Sequence, residues 1–252
     1  MITHLMAGGP MPGSGLIRQV LHLCLPSLCA ACHLPLASHD APGFCRPCSR
    51  ALFAPTARCR QCGLRLGERL LAFGWTHCRH CRAAPDTVYT IAAGDYGAPL
   101  DALVQRLKYQ GDLALAEALA WQMARRWQTL ADKPPLPDIF VPVPGSRKRL
   151  AQRGYNQAHL LSQRLAKRLG RPARADLLHK IRDTRSQAGL NGEQRQANVG
   201  GAFRAENGVA GRRLGLVDDV LTTGATLRAA RAALLAAGAA HIDFWVMART
   251  PE

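Results

Sequence analysis

Beyond residue 86, apolar positions alternate between short continuous runs and a spacing of three or four, the marks of buried strands and of helices packed by one face. Val88-Tyr-Thr-Ile-Ala-Ala reads as a strand. Leu100, Leu103, Val104 and Leu107 then mark a helical face after Pro99, and Gly111-Asp112 restarts a helix running to about Leu130. Pro134, Pro135 and Pro137 end that region. Ile139-Phe-Val-Pro-Val predicts a buried strand, with Pro142 placing it close to a functional loop or a sheet edge. Leu160, Leu161, Leu165 and Leu169 continue a helix that Gly170 stops. The last third repeats the alternation: Leu214 to Asp219 a strand, Thr222 to Thr226 a loop, Leu227 to Ala237 an Ala-rich helix, and Ile242 to Ala248 a strand. This is a βαβ unit, so the fold class is α/β with a parallel sheet whose working residues sit at strand carboxyl ends.

Before residue 86 the pattern gives way to cysteines. Eight of the nine form four Cys-x-x-Cys knuckles: Cys29/Cys32, Cys45/Cys48, Cys59/Cys62 and Cys78/Cys81. Twelve residues separate the first two knuckles and 15 the last two, the sequence form of two successive zinc ribbons. Each knuckle sets two sulfurs on a tight turn, and two knuckles complete a tetrahedron of thiolates for which zinc is the best match and iron an alternative. Sequential pairing needs the shorter loop closures, although cross-pairing also satisfies the count. Cys24 is left over as a small buried hydrophobe, and His77 and His80 flank Cys78 as bystanders, since eight thiolates already fill two structural sites. Residues 1–22 are expected to be disordered, 23–86 to form a small Cys-rich double zinc ribbon, and 87–252 to form the α/β unit.

A length of 252 residues suits two domains, and 48% hydrophobic with 20% charged residues is an ordinary globular balance. The most apolar stretch, Leu16 to Ala37, is broken by Arg18, Pro26 and Pro35, so it predicts no membrane span, and it reads as no export signal. A cytoplasmic protein is expected, and a reducing compartment argues against disulfides. The net charge is +16: residues 1–90 carry nine basic and three acidic side chains, leaving 24 and 14 for the rest. Zinc filling would remove about four charges from that sum, because four thiolates and one divalent ion total −2 per site. Gly145 to Arg174 holds nine Arg/Lys and no acid. Such a stretch is either a solvated helix face or a phosphate-contacting surface for nucleotide or nucleic acid.

Val217-Asp-Asp-Val-Leu-Thr-Thr-Gly-Ala-Thr226 is the most informative segment. It ends a strand with two carboxylates and opens a helix with a hydroxyl-rich turn. Backbone amides from Thr222 to Thr226 form an anion nest, the Thr hydroxyls add donors, and Gly224 lets the chain approach a phosphate. Asp218 and Asp219 can accept hydrogen bonds from vicinal ribose hydroxyls, so the segment reads as a ribose 5-phosphate site. No Gly-x-x-x-x-Gly-Lys-Ser/Thr occurs, which excludes a P-loop.

Leu216 to Thr226 resembles the phosphoribosyl-pyrophosphate signature of type I phosphoribosyltransferases. With the four knuckles, Leu107-Lys108-Tyr109-x-Gly111-Asp112, Val141-Pro-Val-Pro, Arg153-Gly-Tyr-Asn-Gln157 and Asn198-Val-Gly-Gly-Ala-Phe203, the chain resembles the ComF/GntX family over nearly its whole length from Cys29. The resemblance implies a double zinc ribbon with structural zinc, joined to a type I phosphoribosyltransferase fold, in proteins linked to uptake of transforming DNA. It also implies single-stranded DNA as a partner, with other DNA-uptake proteins as further candidates. In a catalytic member, pyrophosphate would leave the ribose anomeric carbon through an oxocarbenium-like transition state, with magnesium bridging pyrophosphate and ribose oxygens. Asp218 and Asp219 would hold the ribose, and Leu221, Thr222, Thr223, Gly224, Ala225 and Thr226 the 5-phosphate. Ser146, Arg147, Lys148 and Arg149, in a loop after the first core strand, would meet pyrophosphate, with Arg153 a second donor. Lys108 reads from the residues as a helix-end cation, though the resemblance gives it and Tyr109 functional weight. Thr184 to Asn191 with Arg195 is either a cover that excludes water or a solvated connector. Two function classes stay open: a transferase with an unnamed acceptor, and a nucleic-acid-binding module that keeps the pocket for sensing.

Overall fold

The computed structural model describes residues 27–182 and 201–251. The expected N-terminal tail and the Thr184 to Asn191 segment, with Arg195, lie outside them, as does Cys24.

Four strands make the main sheet: β1 (Thr90–Asp95), β2 (Ile139–Pro142), β5 (Arg213–Leu221) and β6 (His241–Arg249). Their order is β1-β6-β5-β2 and every pairing is parallel, with Asp95 opposite Arg249 and Pro142 opposite Val217. A separate antiparallel pair, β3 (Leu178–Lys180) and β4 (Phe203–Ala205), flanks it. Parallel strands are fed by crossovers that cover both faces, and so β6 is buried along almost its whole length.

On one face lie α4 (Leu100–Tyr109), α5 (Leu113–Gln128) and α7 (Gln157–Leu169). Their apolar stripes bury Leu103, Leu107, Leu119, Met123, Leu161 and Leu165 against Ile91, Phe140, Val217 and Trp245. Trp245 anchors this layer, edge-to-face with Phe140 at 5.1 Å. On the other face α8 (Ala225–Ala236) packs Leu227, Ala230 and Leu234 on Val141, Leu216, Phe244 and Val246, with Leu178 and Phe203 of the hairpin beside them.

Local chemistry fixes the helix ends. Asp112 caps α5 by accepting from the Leu115 amide at 2.9 Å, and Asn156 caps α7 by accepting from the Ala158 amide at 3.0 Å. Gly170 closes α7 in the left-handed conformation, as expected from its position. One difference concerns Arg147 to Arg149: only Pro144 to Ser146 form the turn after β2, and α6 (Arg147–Arg153) follows at once. Arg147, Lys148 and Arg149 therefore stand on the first turn of a short helix.

The two cysteine modules attach differently. In the first, α1 (Arg46–Phe53) and the bridge Leu28–Pro35 place Cys29, Phe44, Cys45 and Phe53 in the same apolar layer as α4, α5 and α7. The second, with α2 (Glu68–Ala72) and α3 (Arg79–Ala83), buries a small core of its own, made of Cys59, Leu64, Leu66, Cys78 and Cys81. Polar contacts dock it. The Thr90 amide donates to the Arg60 carbonyl at 2.7 Å, the Thr90 hydroxyl donates to Gln61, and Arg58 pairs with Asp95 at 2.5 Å. No helix among the described residues is long and apolar enough to cross a membrane.

Candidate functional site

The cysteines gather as the spacing predicts: Cys29, Cys32, Cys45 and Cys48 in one group, Cys59, Cys62, Cys78 and Cys81 in another, with all ligand atoms within 4.8 Å of one another. Cys32 and Cys45 bring their sulfurs to 3.7 Å, as do Cys62 and Cys78. A tetrahedron with metal–sulfur bonds of about 2.3 Å has edges of about 3.8 Å, so both quartets fit structural zinc. Without a cation the quartet is costly to ionise in full: the hydrogen bond from Cys62 holds Cys59 down, while burial and the Cys59 charge push Cys81 up to about 12. A divalent ion removes that conflict.

The second site lies at the carboxyl ends of β5 and β2. The Val143 amide donates to the Val217 carbonyl at 2.8 Å, which sets the turn Pro144 to Ser146 beside Asp218 and Asp219. Asp219 is only 6% exposed, and each of its oxygens has a partner. One oxygen accepts from Lys108 Nζ at 3.1 Å and from Gln157 Nε2 at 3.0 Å; the other accepts from the Val220 amide at 2.7 Å. Asp218 is half-buried and accepts from the Asp219 amide at 2.9 Å. Withdrawal from water, and then the adjacent Asp219 charge, push its carboxyl above the usual carboxylate range, against the pull of the Asp219 amide and Lys108.

After Leu221 the chain turns through exposed Thr222 and Thr223 into Gly224, whose φ of +77° suits glycine and which opens α8. A Cβ there would stand 2.7 Å from Arg228 Nη1, so the Arg228 guanidinium lies over the turn. Thr226 is also exposed. The turn is tethered from behind by Arg249, 8% exposed, whose guanidinium donates to Leu221 O at 3.3 Å and to Thr250 O at 2.5 Å. Its Nε donates to the Cys62 carbonyl at 3.0 Å, joining the β5 turn to the second cysteine module.

Arg153 to Gln157 ties these parts together. Arg153 stacks over the Tyr109 ring at 4.8 Å and donates to Gln157 Oε1 at 3.2 Å. The Tyr155 hydroxyl donates to the Leu107 carbonyl and accepts from the Gly111 amide at 3.0 Å, fixing the end of α4, where Lys108 stands, and the turn after it. Asn156 Nδ2 donates to the Val143 carbonyl at 3.0 Å, holding the turn after β2. Arg147 and Lys148 are exposed and make no ion pair among the described residues.

Lys108 is the main departure from the reading of its residues alone. It does not merely cap a helix electrostatically; it reaches Asp219. Gln157 and Tyr155 gain specific partners that no periodicity marks, although both belong to the Arg153–Gln157 segment.

Paired cysteine quartets ahead of a parallel sheet with a carboxylate pair and hydroxyl turn at its carboxyl edge define the class, a double zinc ribbon with a phosphoribosyltransferase fold. The family model for the phosphoribosyl transferase domain matches residues 151–252. The chain is 38% identical to the DNA utilization protein YhgH of Salmonella typhi over 90% of its own length and 99% of that protein. It is 33% identical to competence protein F of Haemophilus influenzae, covering 92% and 94%. To competence protein ComFC of Bacillus subtilis it is 30% identical over 65% and 63%. The chain belongs to the ComF family. Among solved structures, a glutamine phosphoribosylpyrophosphate amidotransferase from B. subtilis aligns at 22% identity and a TM-score of 0.36, over 52% of this chain and 26% of that one, so the chain spans about a quarter of that enzyme's length. An adenine phosphoribosyltransferase from Leishmania tarentolae aligns at 17% identity and a TM-score of 0.34, over 54% and 58%.

Proposed function

We propose that the chain binds phosphoribosyl pyrophosphate, or a related ribose 5-phosphate ligand, in a cytoplasmic protein that takes part in uptake of single-stranded DNA during natural transformation. The carrying observation is the Asp218–Asp219 pair at the end of β5, followed by the Thr222–Thr226 turn into α8. Asp218 and Asp219 accept from the ribose hydroxyls. Leu221 to Thr226 supply amides and hydroxyls to the 5-phosphate, with the α8 amino terminus adding favourable field. Ser146, Arg147, Lys148 and Arg149 would meet the pyrophosphate, with Arg153 a second donor. Magnesium, when bound with that ligand, would neutralise pyrophosphate and polarise the leaving group. Lys108 pairs with Asp219 and balances its charge.

The domain division follows the same reading, with residues 23–86 as a structural ribbon module and 87–252 as the ligand-binding unit. The DNA role draws support from the relatives named for DNA utilization and competence, and from the +16 charge. It also keeps the alternative of a non-catalytic nucleic-acid-binding module that senses a ligand, with other DNA-uptake proteins as partners.

Calorimetric titration of the zinc-loaded protein with phosphoribosyl pyrophosphate and magnesium tests the pocket, run beside an Asp218→Ala/Asp219→Ala variant. Binding in the parent and none in the variant is expected. No binding by a folded, metal-loaded parent would sink the reading.

A further inference from the structure

The tip of the second cysteine module carries an aromatic pair, exposed Phe73 and half-buried Trp75, that no part of the ribose site uses. Helix α2 ends in Leu70-Leu-Ala-Phe-Gly-Trp75. Gly74, with φ +68°, takes the left-handed position, its amide donating to Leu71 O at 2.9 Å and the Trp75 amide to Leu70 O at 3.1 Å. This helix stop reverses the chain within two residues and brings Phe73 and Trp75 into a stack, centroids 5.4 Å apart and planes at 29°. Arg82 lays its guanidinium over the Trp75 ring, 3.4 Å from the centroid. Phe73 is 72% exposed and the adjacent Leu71 42%.

Arginines surround the stack. Between Arg65 and Arg82 the sequence holds a single carboxylate, Glu68. Arg65, Arg69 and Arg79 are exposed and form no ion pair among the described residues. Leu71 and Trp75 also edge a cavity of about 320 Å³ whose wall includes Arg126, together with Arg58 and Arg60, which pair with Asp95 and Asp132. Arg126 donates to the Thr56 carbonyl and has no carboxylate partner among the described residues.

We infer that this tip is a docking platform for single-stranded nucleic acid, with a base stacking on exposed Phe73, which Trp75 and Arg82 back, and the backbone phosphates following the arginines. The inference rests on the DNA-handling part of the proposed function and gives it a location away from the ribose pocket. Its chemistry is specific to single strands. A duplex hides its base faces, whereas an unpaired strand offers a flat π-face and a phosphate at every step, which an aromatic stack inside a cationic rim matches without reading sequence. A purely apolar partner would desolvate the guanidinium groups of Arg65, Arg69 and Arg79, none of which has an ion-pair partner among the described residues.

The test is fluorescence anisotropy of a labelled oligothymidylate with the zinc-loaded full-length protein across a salt series. Four forms are compared: the parent, Phe73→Ala/Trp75→Ala, Trp75→Phe, and Arg65→Gln/Arg69→Gln/Arg79→Gln. All must retain the parent's zinc content and circular dichroism. The double alanine variant should bind about tenfold more weakly or worse, and Trp75→Phe should bind nearly as the parent. Loss of three phosphate contacts should lower the logarithmic salt slope by about 2. Tryptophan quenching by the oligonucleotide should appear in the parent and vanish in Trp75→Phe, because Trp121, Trp127 and Trp245 lie elsewhere. Parent-like binding by the double alanine variant would overturn the platform while leaving DNA binding intact. No oligonucleotide binding by the parent would overturn both the platform and the DNA role, and leave the ribose-phosphate reading to its own titration.

Discussion

Asp218 and Asp219 are neighbours in sequence, and the fold gives them different surroundings. Asp219 receives Lys108, Gln157 and a backbone amide, while Asp218 is left with one amide and a like charge beside it. The carboxylate pair was legible because two acids at a strand end before a Thr-rich turn have few structural uses. Lys108 was not, because its partner lies across the fold on β5, and helical periodicity places it only at the end of α4. A pH effect follows from Asp218. Its folded pKa stands above the unfolded value of about 3.9. As pH rises past that value the unfolded chain releases the proton while the folded chain keeps it, so this residue lowers stability as pH increases. Asp218→Asn keeps the hydrogen bond from the Asp219 amide and removes the charge. It should raise stability at pH 7 by about 1 kcal/mol and flatten the dependence above pH ~4, read by urea denaturation at several pH values. The same variant should lose affinity for a ribose ligand, since an amide oxygen accepts a hydroxyl hydrogen bond less strongly than a carboxylate does.

Long periodic elements were the readable ones. The stripe of α4, the Gly170 stop and the apolar runs of β2, β5 and β6 appear where the hydrophobic pattern sets them. The β3–β4 hairpin was hidden, because three-residue strands show too little alternation to distinguish from a loop. Helix α6 was hidden for another reason, since its Arg-rich first turn has no apolar face to display a period. The connection from α6 to α7 organises the site through its own side chains rather than through packing. Tyr155 serves there as a clamp on the turn after α4, bonding Leu107 and Gly111 with one hydroxyl. Tyr155→Phe removes that bridge and leaves a carbonyl and an amide unpaired. It should cost about 1–2 kcal/mol in denaturant unfolding and weaken ligand binding at the same time, because Lys108 loses its fixed approach to Asp219. Unchanged ligand affinity at reduced stability would mean that the clamp supports the helix end alone.

Taken as a whole, the molecule joins its two cysteine modules to the sheet by different physics. The first shares the apolar layer under α4, α5 and α7, whereas the second keeps a separate small core and docks through hydrogen bonds and ion pairs. Cysteine spacing predicted both quartets and gave no hint of this asymmetry, which depends on which side of the sheet each module meets. Arg249 makes the asymmetry consequential. Its guanidinium spans the carbonyl of Cys62, inside a metal knuckle, and the carbonyl of Leu221, where the β5 turn begins. Order at either end therefore favours order at the other, and such coupling acts in both directions. Zinc release to a chromogenic chelator should be biphasic. Phosphoribosyl pyrophosphate should slow only the phase assigned to the second module through a Cys59→Ser/Cys62→Ser variant, and Arg249→Met should abolish that protection while both zinc ions still load. Equal protection of both phases would point to general tightening of the fold. Under the proposed function the metal of the second module would serve as a gauge: a cell short of zinc, or one oxidising its thiols, would find this protein gripping a ribose ligand less firmly.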